Sequence, residues 1–173
     1  NQPELKMKEI NNANALSSQS VTTIAQDSVG YIWIGTINGL NRYNGYELET
    51  YTTKRNDSTS LPNDNITCLY CDRKGKLWVG TQNGLYRYNR TYDNFEQISA
   101  NHQSESTRGL HISGIREDKN GTIYFSEGSN IYRYQQEKKT FRLMITVKRG
   151  IVTSFLFDKN RSEERRVGKE CIV

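Results

Sequence analysis

The chain has 173 residues, 34% of them apolar and 25% charged, and a formal net charge of +5. That length suits one domain or part of a larger one. No run of about 18 apolar residues supplies a transmembrane helix, no basic–apolar leader opens the chain, and the charge is too scattered to form the basic face that direct nucleic-acid contact needs. Residues 1–20 read as a lead-in. Val21–Gln26 is strand-length and rich in β-branched and apolar residues. Asp27 to Gly30 spells a tight turn in which the aspartate accepts turn amides and the glycine tolerates positive φ. Tyr31–Thr36 gives a second strand. Asn38–Gly39 is a hairpin signal, with both residues expected at positive φ. Leu40–Asn44 and Tyr46–Tyr51 give a third and a fourth strand, and Lys54–Asp64 is a polar loop.

The same order then recurs. Ile66–Cys71, Leu77–Thr81, Leu85–Asn89 and Phe95–Ser99 read as four more strands, with turns at Asp72–Gly75 and Asn83–Gly84 and a polar loop over Ala100–Gly109. Every matched position lies 45 residues after its counterpart, Trp33 against Trp78 and Tyr43 against Tyr88 among them. A third copy runs through Ile112, Ile115, Asp118, Gly121, Ile123, Tyr124, Ile131, Arg133 and Tyr134, where Tyr124, Phe125, Ser126 and Glu127 replace the Trp-x-Gly-Thr core. A fourth opens at Val152 and stops matching after Asn160. Four strands in about 45 residues is the period of a β-propeller blade. The expected fold is therefore all-β, a partial propeller with blades at 21–65, 66–111 and 112–151, the start of a fourth at 152–160, and almost no helix before residue 160. Trp33, Trp78 and Tyr124 are expected between neighbouring blades, and Gly35 and Gly80 where another strand or side chain comes close. Residues that recur in every blade serve the scaffold and cannot mark a unique site.

Asp27, Gly30, Ile32, Trp33, Ile34, Gly35, Thr36, Gly39, Leu40, Arg42, Tyr43 and Asn44, repeated with Leu77 and Val79 at the aliphatic positions of the second copy, resemble the two-component regulator propeller repeat. Leu16–Val21 and Ser60–Ile66 are similar to the lead-in segments of that family. The resemblance covers residues 16–160. It implies the sensor region of a hybrid two-component system of gut Bacteroidetes: two periplasmic propellers, followed by an immunoglobulin-like domain, a membrane helix, a histidine kinase, a receiver and a DNA-binding domain, sensing polysaccharide breakdown products. It thus implies an oligosaccharide ligand, further blades and signalling domains of the same chain as partners, a homodimer in the full-length protein, and a periplasmic location. None of the kinase or receiver motifs falls within these residues.

Chemistry-bearing residues are few. Cys68 and Cys71 have redox or zinc spacing, but residues three apart in a strand point to opposite faces, and no second pair or nearby His completes a metal site. His102, His111, Glu105 and Glu127 are the unrepeated acid–base candidates, arranged by no motif. Asp118, Asn120 and Gly121 faintly resemble a calcium loop, yet Arg116 would stand where the first carboxylate is required. Sequons at Asn56, Asn65, Asn89 and Asn120 are read as chance. No catalytic, cofactor-binding or metal-binding residue is assigned, and the ligand-contacting residues are left unknown. The leading expectation is a binding module without catalysis, metal or cofactor. The alternatives are a propeller enzyme, since Asp118–Ser126 also resembles streptogramin-lyase-type repeats and, less closely, sialidase Asp-boxes, or a protein-interaction scaffold.

Residues Arg161–Cys171 break the β pattern with a charged string. It resembles the in-frame translation of a sequencing adapter, so 161–173 is read as a non-native tail against the competing reading of a genuine helical C-terminus. On the first reading the fourth blade is cut in mid-unit, and the chain made alone is expected to be marginal or to aggregate.

Overall fold

A computed structural model of the chain describes residues 16–98, 107–137 and 140–157. Twelve strands form three separate four-stranded antiparallel sheets, and no helix occurs among the described residues. The first sheet is β1 (Val21–Gln26), β2 (Ile32–Thr36), β3 (Gly39–Tyr43) and β4 (Leu48–Tyr51). The second is β5 (Ile66–Cys71), β6 (Leu77–Thr81), β7 (Gly84–Asn89) and β8 (Asn94–Gln97). The third is β9 (Ile112–Glu117), β10 (Ile123–Glu127), β11 (Asn130–Gln135) and β12 (Thr140–Thr146). Strands are hydrogen-bonded in chain order within each sheet. Contacts between sheets concentrate on the first strands, β1 against β5 and β5 against β9, so the sheets splay outward from those inner strands as propeller blades do.

The apolar core lies between the sheets. Trp33 and Leu40 of the first pack with Leu69, Leu77, Val79, Tyr86, Tyr88 and Phe95 of the second. Trp78 and Leu85 of the second pack with Ile115, Ile123, Phe125 and Tyr134 of the third. Tyr124 and Ile131 of the third pack with Val152 and Phe155. Alternation along each strand sends one set of side chains to each neighbour. Val152 to Phe157 therefore occupies the place of an inner strand, although only Val152 forms a ladder bridge.

The turn expected at Asp27–Gly30 is present, and its aspartate does more than cap it. Asp27 Oδ1 accepts the amides of Val29 and Tyr31, while Oδ2 accepts the indole N–H of Trp33 at 2.9 Å. Asp72 repeats the arrangement with Lys74, Lys76 and Trp78, again at 2.9 Å for the indole. In the third sheet the Tyr124 hydroxyl replaces the indole at 3.3 Å from Asp118.

The hairpins differ from expectation. Gly39 and Gly84 adopt φ of 135° and 129°, but Asn38 and Asn83 do not enter the positive-φ region. The side chain of the preceding threonine shapes the turn instead: Thr36 Oγ1 accepts the Asn38 amide and donates to the Gly39 carbonyl, and Thr81 does the same for Asn83 and Gly84.

Each inner strand carries a β-bulge at its second residue, Thr22, Thr67 or Ser113. A bulge re-aims its side chain, and here every one of these hydroxyls donates to the first carbonyl of the next unit: Thr22 to Ile66 at 2.7 Å, Thr67 to Ile112 at 2.5 Å and Ser113 to Val152 at 2.7 Å. The close approach explains the glycines beside it. A Cβ on Gly35 would lie 2.6 Å from Ile66 Cγ2, and one on Gly80 would meet Cys68 Sγ and Ile112 Cγ2.

The third copy keeps this packing by exchange rather than losing it. The cross-strand pair Thr23–Gly35 of the first sheet and Cys68–Gly80 of the second becomes Gly114–Ser126, with the glycine moved to the other strand.

Candidate functional site

Antiparallel order places the β1–β2 turns and β3–β4 loops of every sheet on one face, and the β2–β3 hairpins with the inter-sheet connections on the other. Of the four acid–base candidates, His102 and Glu105 lie outside the described residues, as do Cys171 and the rest of 158–173. His111 is exposed just before β9, and Glu127 is half-buried at the end of β10 opposite Ile112, within 3.5 Å of Asn130. The register brings His111 to the neighbourhood of Glu127, but no hydrogen bond or ion pair joins the two. Cys68 faces Ile112 of the third sheet while Cys71 is influenced by Ser28 and Asp27 of the first, so the two thiols point opposite ways, as their spacing requires. Burial pushes the Cys68 thiol up to about 12, so it is protonated and unreactive at neutral pH.

The densest polar arrangement lies on the β1–β2 face, where the first and second sheets meet. Arg90, at the start of the β7–β8 loop, reaches back to Asp27 Oδ2 at 2.6 Å. Burial pushes the Asp27 carboxyl up, but the donors Trp33, Arg90, Tyr31 and Val29 outweigh it and hold the group below its ordinary value. Arg42 lies 5.5–5.6 Å from the ring centres of Tyr31, Trp33 and Tyr51, donates to the Tyr88 hydroxyl at 2.6 Å, and pairs with Glu49. Asp93, at φ 49°, accepts the hydroxyls of Tyr51 at 2.8 Å and Tyr88 at 2.5 Å. Its carboxyl is raised by burial yet lowered on balance by those donors and Arg42. Burial and the Asp93 hydrogen bond push Tyr88 up to about 12 and raise Tyr51 as well, so both phenols stay protonated and donate.

Beside this cluster an open cleft of about 270 Å³ is lined by Lys76, Arg87, Tyr88, Asn89, Arg90 and Glu96, among others. Glu96 accepts Arg87 at 2.9 Å and Asn89 at 2.7 Å. On the same face Tyr46 of the β3–β4 loop and Tyr92 of the β7–β8 loop are 86% and 75% exposed. The arrangement can donate hydrogen bonds and offer flat aromatic surface. The sequence did not point to Arg90, Asp93 or the cleft. The Asp–Trp link had a visible signal, a tryptophan six residues after Asp27 and again after Asp72.

The family model for the two component regulator propeller matches residues 15–38 and 60–83, the stretches that carry Asp27 and Trp33 and then Asp72 and Trp78. Those two stretches are similar to two-component regulator propeller repeats. The repeat model spans the lead-in, inner strand, turn and second strand, which carry the turn aspartate, the indole and the bulge hydroxyl described above. Histidine kinase P4 of Formosa agariphila is 39% identical over 44 residues, 25% of this chain and 3% of that protein. The extracellular domain of a B. thetaiotaomicron protein described as a hybrid two component system superimposes with a TM-score of 0.69 at 26% identity, over 82% of this chain and 19% of that one. Virginiamycin B lyase of Staphylococcus aureus superimposes with a TM-score of 0.60 at 21% identity, over 86% of this chain and 47% of the lyase, a likeness of fold alone. The chain thus spans a small part of the kinase and about a fifth of the extracellular domain. The third blade, outside the family match, keeps the repeat's bulge, its cross-blade hydroxyl and its turn aspartate.

Proposed function

We propose that these blades belong to the periplasmic sensor region of a hybrid two-component signalling protein and take part in recognising an oligosaccharide whose utilisation that protein controls. The observation that carries the reading is the pairing of two family-matched blades with a fold shared with the extracellular domain of a hybrid two component system. The face that bears the cleft supports it. Lys76, Arg87, Asn89 and Arg90 present donors suited to hydroxyl and carboxylate groups, and exposed Tyr46 and Tyr92 offer flat faces for sugar rings. Within this reading the chain is a binding module, the remaining blades cover its open faces, and downstream kinase domains and a homodimer carry the signal.

Calorimetric titration of the chain with neutral and uronate-containing oligosaccharides tests the reading. Saturable binding weakened about tenfold by Tyr92→Ala or Arg90→Ala is expected. Absence of binding across the set, or binding indifferent to both substitutions, contradicts it. Turnover of a glycan or a lactone during the titration would favour an enzyme instead.

A further inference from the structure

The first two blades share a cross-strand ion pair that the third lacks. Arg42 of β3 stands opposite Glu49 of β4, and Arg87 of β7 stands opposite Glu96 of β8. At the same place in the third blade Arg133 of β11 stands opposite Arg142 of β12. Two like charges directly across an antiparallel pair repel. The Nε of Arg133 is buried and has no hydrogen-bond partner among the described residues, a costly state for a guanidinium donor. Neither guanidinium makes an ion pair with a described carboxylate. In the first blade the equivalent arginine is satisfied twice over, by Glu49 on its own sheet and by Asp93 and the Tyr88 hydroxyl from the next.

Strand alternation fixes where the unmatched pair points. Arg133 shares its sheet face with Ile131 two residues away and with Tyr124 across the β10–β11 ladder. Ile131 and Tyr124 pack against Val152 and Phe155, so the pair sits at the outer margin of the surface on which the next unit begins. A half-buried arginine directly opposite an exposed one offers N–H donors suited to the planar, bidentate recognition of an oxyanion.

We propose that Arg133 and Arg142 form a carboxylate-binding fork at the outer edge of the third blade, filled either by a free anionic ligand or by an acidic side chain of a blade packed on that face, as Asp93 fills the equivalent place beside Arg42. The two sources share one chemistry and are separable by experiment.

Thermal unfolding of the wild type, Arg142→Glu and Arg142→Gln is measured in sodium chloride and in sodium phosphate at matched ionic strength. Phosphate should raise the wild-type midpoint more than that of either variant, so that the general salt effect cancels in the difference. Arg142→Glu, which rebuilds the ion pair of the first two blades, should melt above Arg142→Gln in chloride. Equal phosphate responses of all three proteins, or no advantage of Glu over Gln, would overturn the proposal. Should melting lack cooperativity, the reactivity of Arg133 toward phenylglyoxal, read by mass spectrometry, makes the same decision. Phosphate should protect it about threefold or more in the wild type and not in Arg142→Gln, and equal protection in both overturns the assignment. In a chain that carries a blade on this face, loss of the phosphate response assigns the carboxylate to that blade, and persistence assigns it to a free ligand.

Discussion

A single aspartate per blade fixes the turn and orients the largest core side chain, because its two oxygens serve different partners. Asp72 Oδ1 holds two turn amides and Oδ2 the Trp78 indole, in a setting where both the carboxylate and the ring are buried. Replacing Asp72 with Ala orphans those donors and is expected to cost about 1–3 kcal/mol in urea unfolding. Trp78→Ala removes a fully buried ring and is expected to cost about 3–5 kcal/mol. Wild-type stability for either variant would contradict the account. Asp27 and Asp93 lie below their ordinary values in the folded state. The stability they lend is therefore complete above the unfolded carboxylate value of about 3.9 and is lost as pH falls through the depressed folded values. Unfolding free energy measured from pH 6 down to pH 2 should decline in that acid window. The double variant Asp27→Asn, Asp93→Asn should start lower and decline less. The turn role of Asp27 and Asp72 was legible in the sequence from their spacing to glycine. The indole bond was not read, since a side chain six residues away meets the turn only once β2 is paired back on β1.

At the scale of the element, the inner strand and its bulge decide how closely two sheets approach. The sequence marked Gly35 and Gly80 as points of close approach, and Ile66 and Ile112 are what approaches them. It also presented Tyr124–Glu127 as a decayed core. The pairing explains why that appearance misleads: only the register shows that Gly114 lies opposite Ser126, so the small residue lost on one strand is regained on the other. A linear string cannot display a cross-strand compensation. The same exchange should work in the second blade. Gly80→Ser alone is expected to destabilise by about 1–3 kcal/mol through overpacking. Adding Cys68→Gly, which recreates the third-blade pair, should recover most of that loss. A double variant no more stable than Gly80→Ser would show that the two positions are not coupled. The hairpin asparagines are the opposite case. Their spacing to glycine suggested positive φ, but Thr36 and Thr81 anchor the turn with a side-chain oxygen and leave the asparagines in ordinary conformations.

For the molecule as a whole, stability resides between sheets more than within them. The inner-strand residues Leu69, Ile115 and Phe155, fourth in their units, are 8%, 1% and 4% exposed, whereas Ile24 at the same place in the first blade is 64% exposed. Val21 follows the same rule at 44%, against 0% for Ile66 and Ile112. Each sheet covers the one after it, and the described residues contain nothing that covers the outer side of the first inner strand. The blade count, the strand order and the between-blade place of the tryptophans were all readable from a 45-residue period, because a repeat fixes its neighbours' contacts along with its own. The cleft was not readable, since Arg90, Asp93 and Lys76 occupy loops and turns in which the copies differ. Urea unfolding of Leu69→Ala beside Ile24→Ala tests the central claim most directly. The account predicts a loss of about 2–5 kcal/mol for Leu69→Ala and a change within about 0.5 kcal/mol for Ile24→Ala; similar losses for the two variants would contradict it.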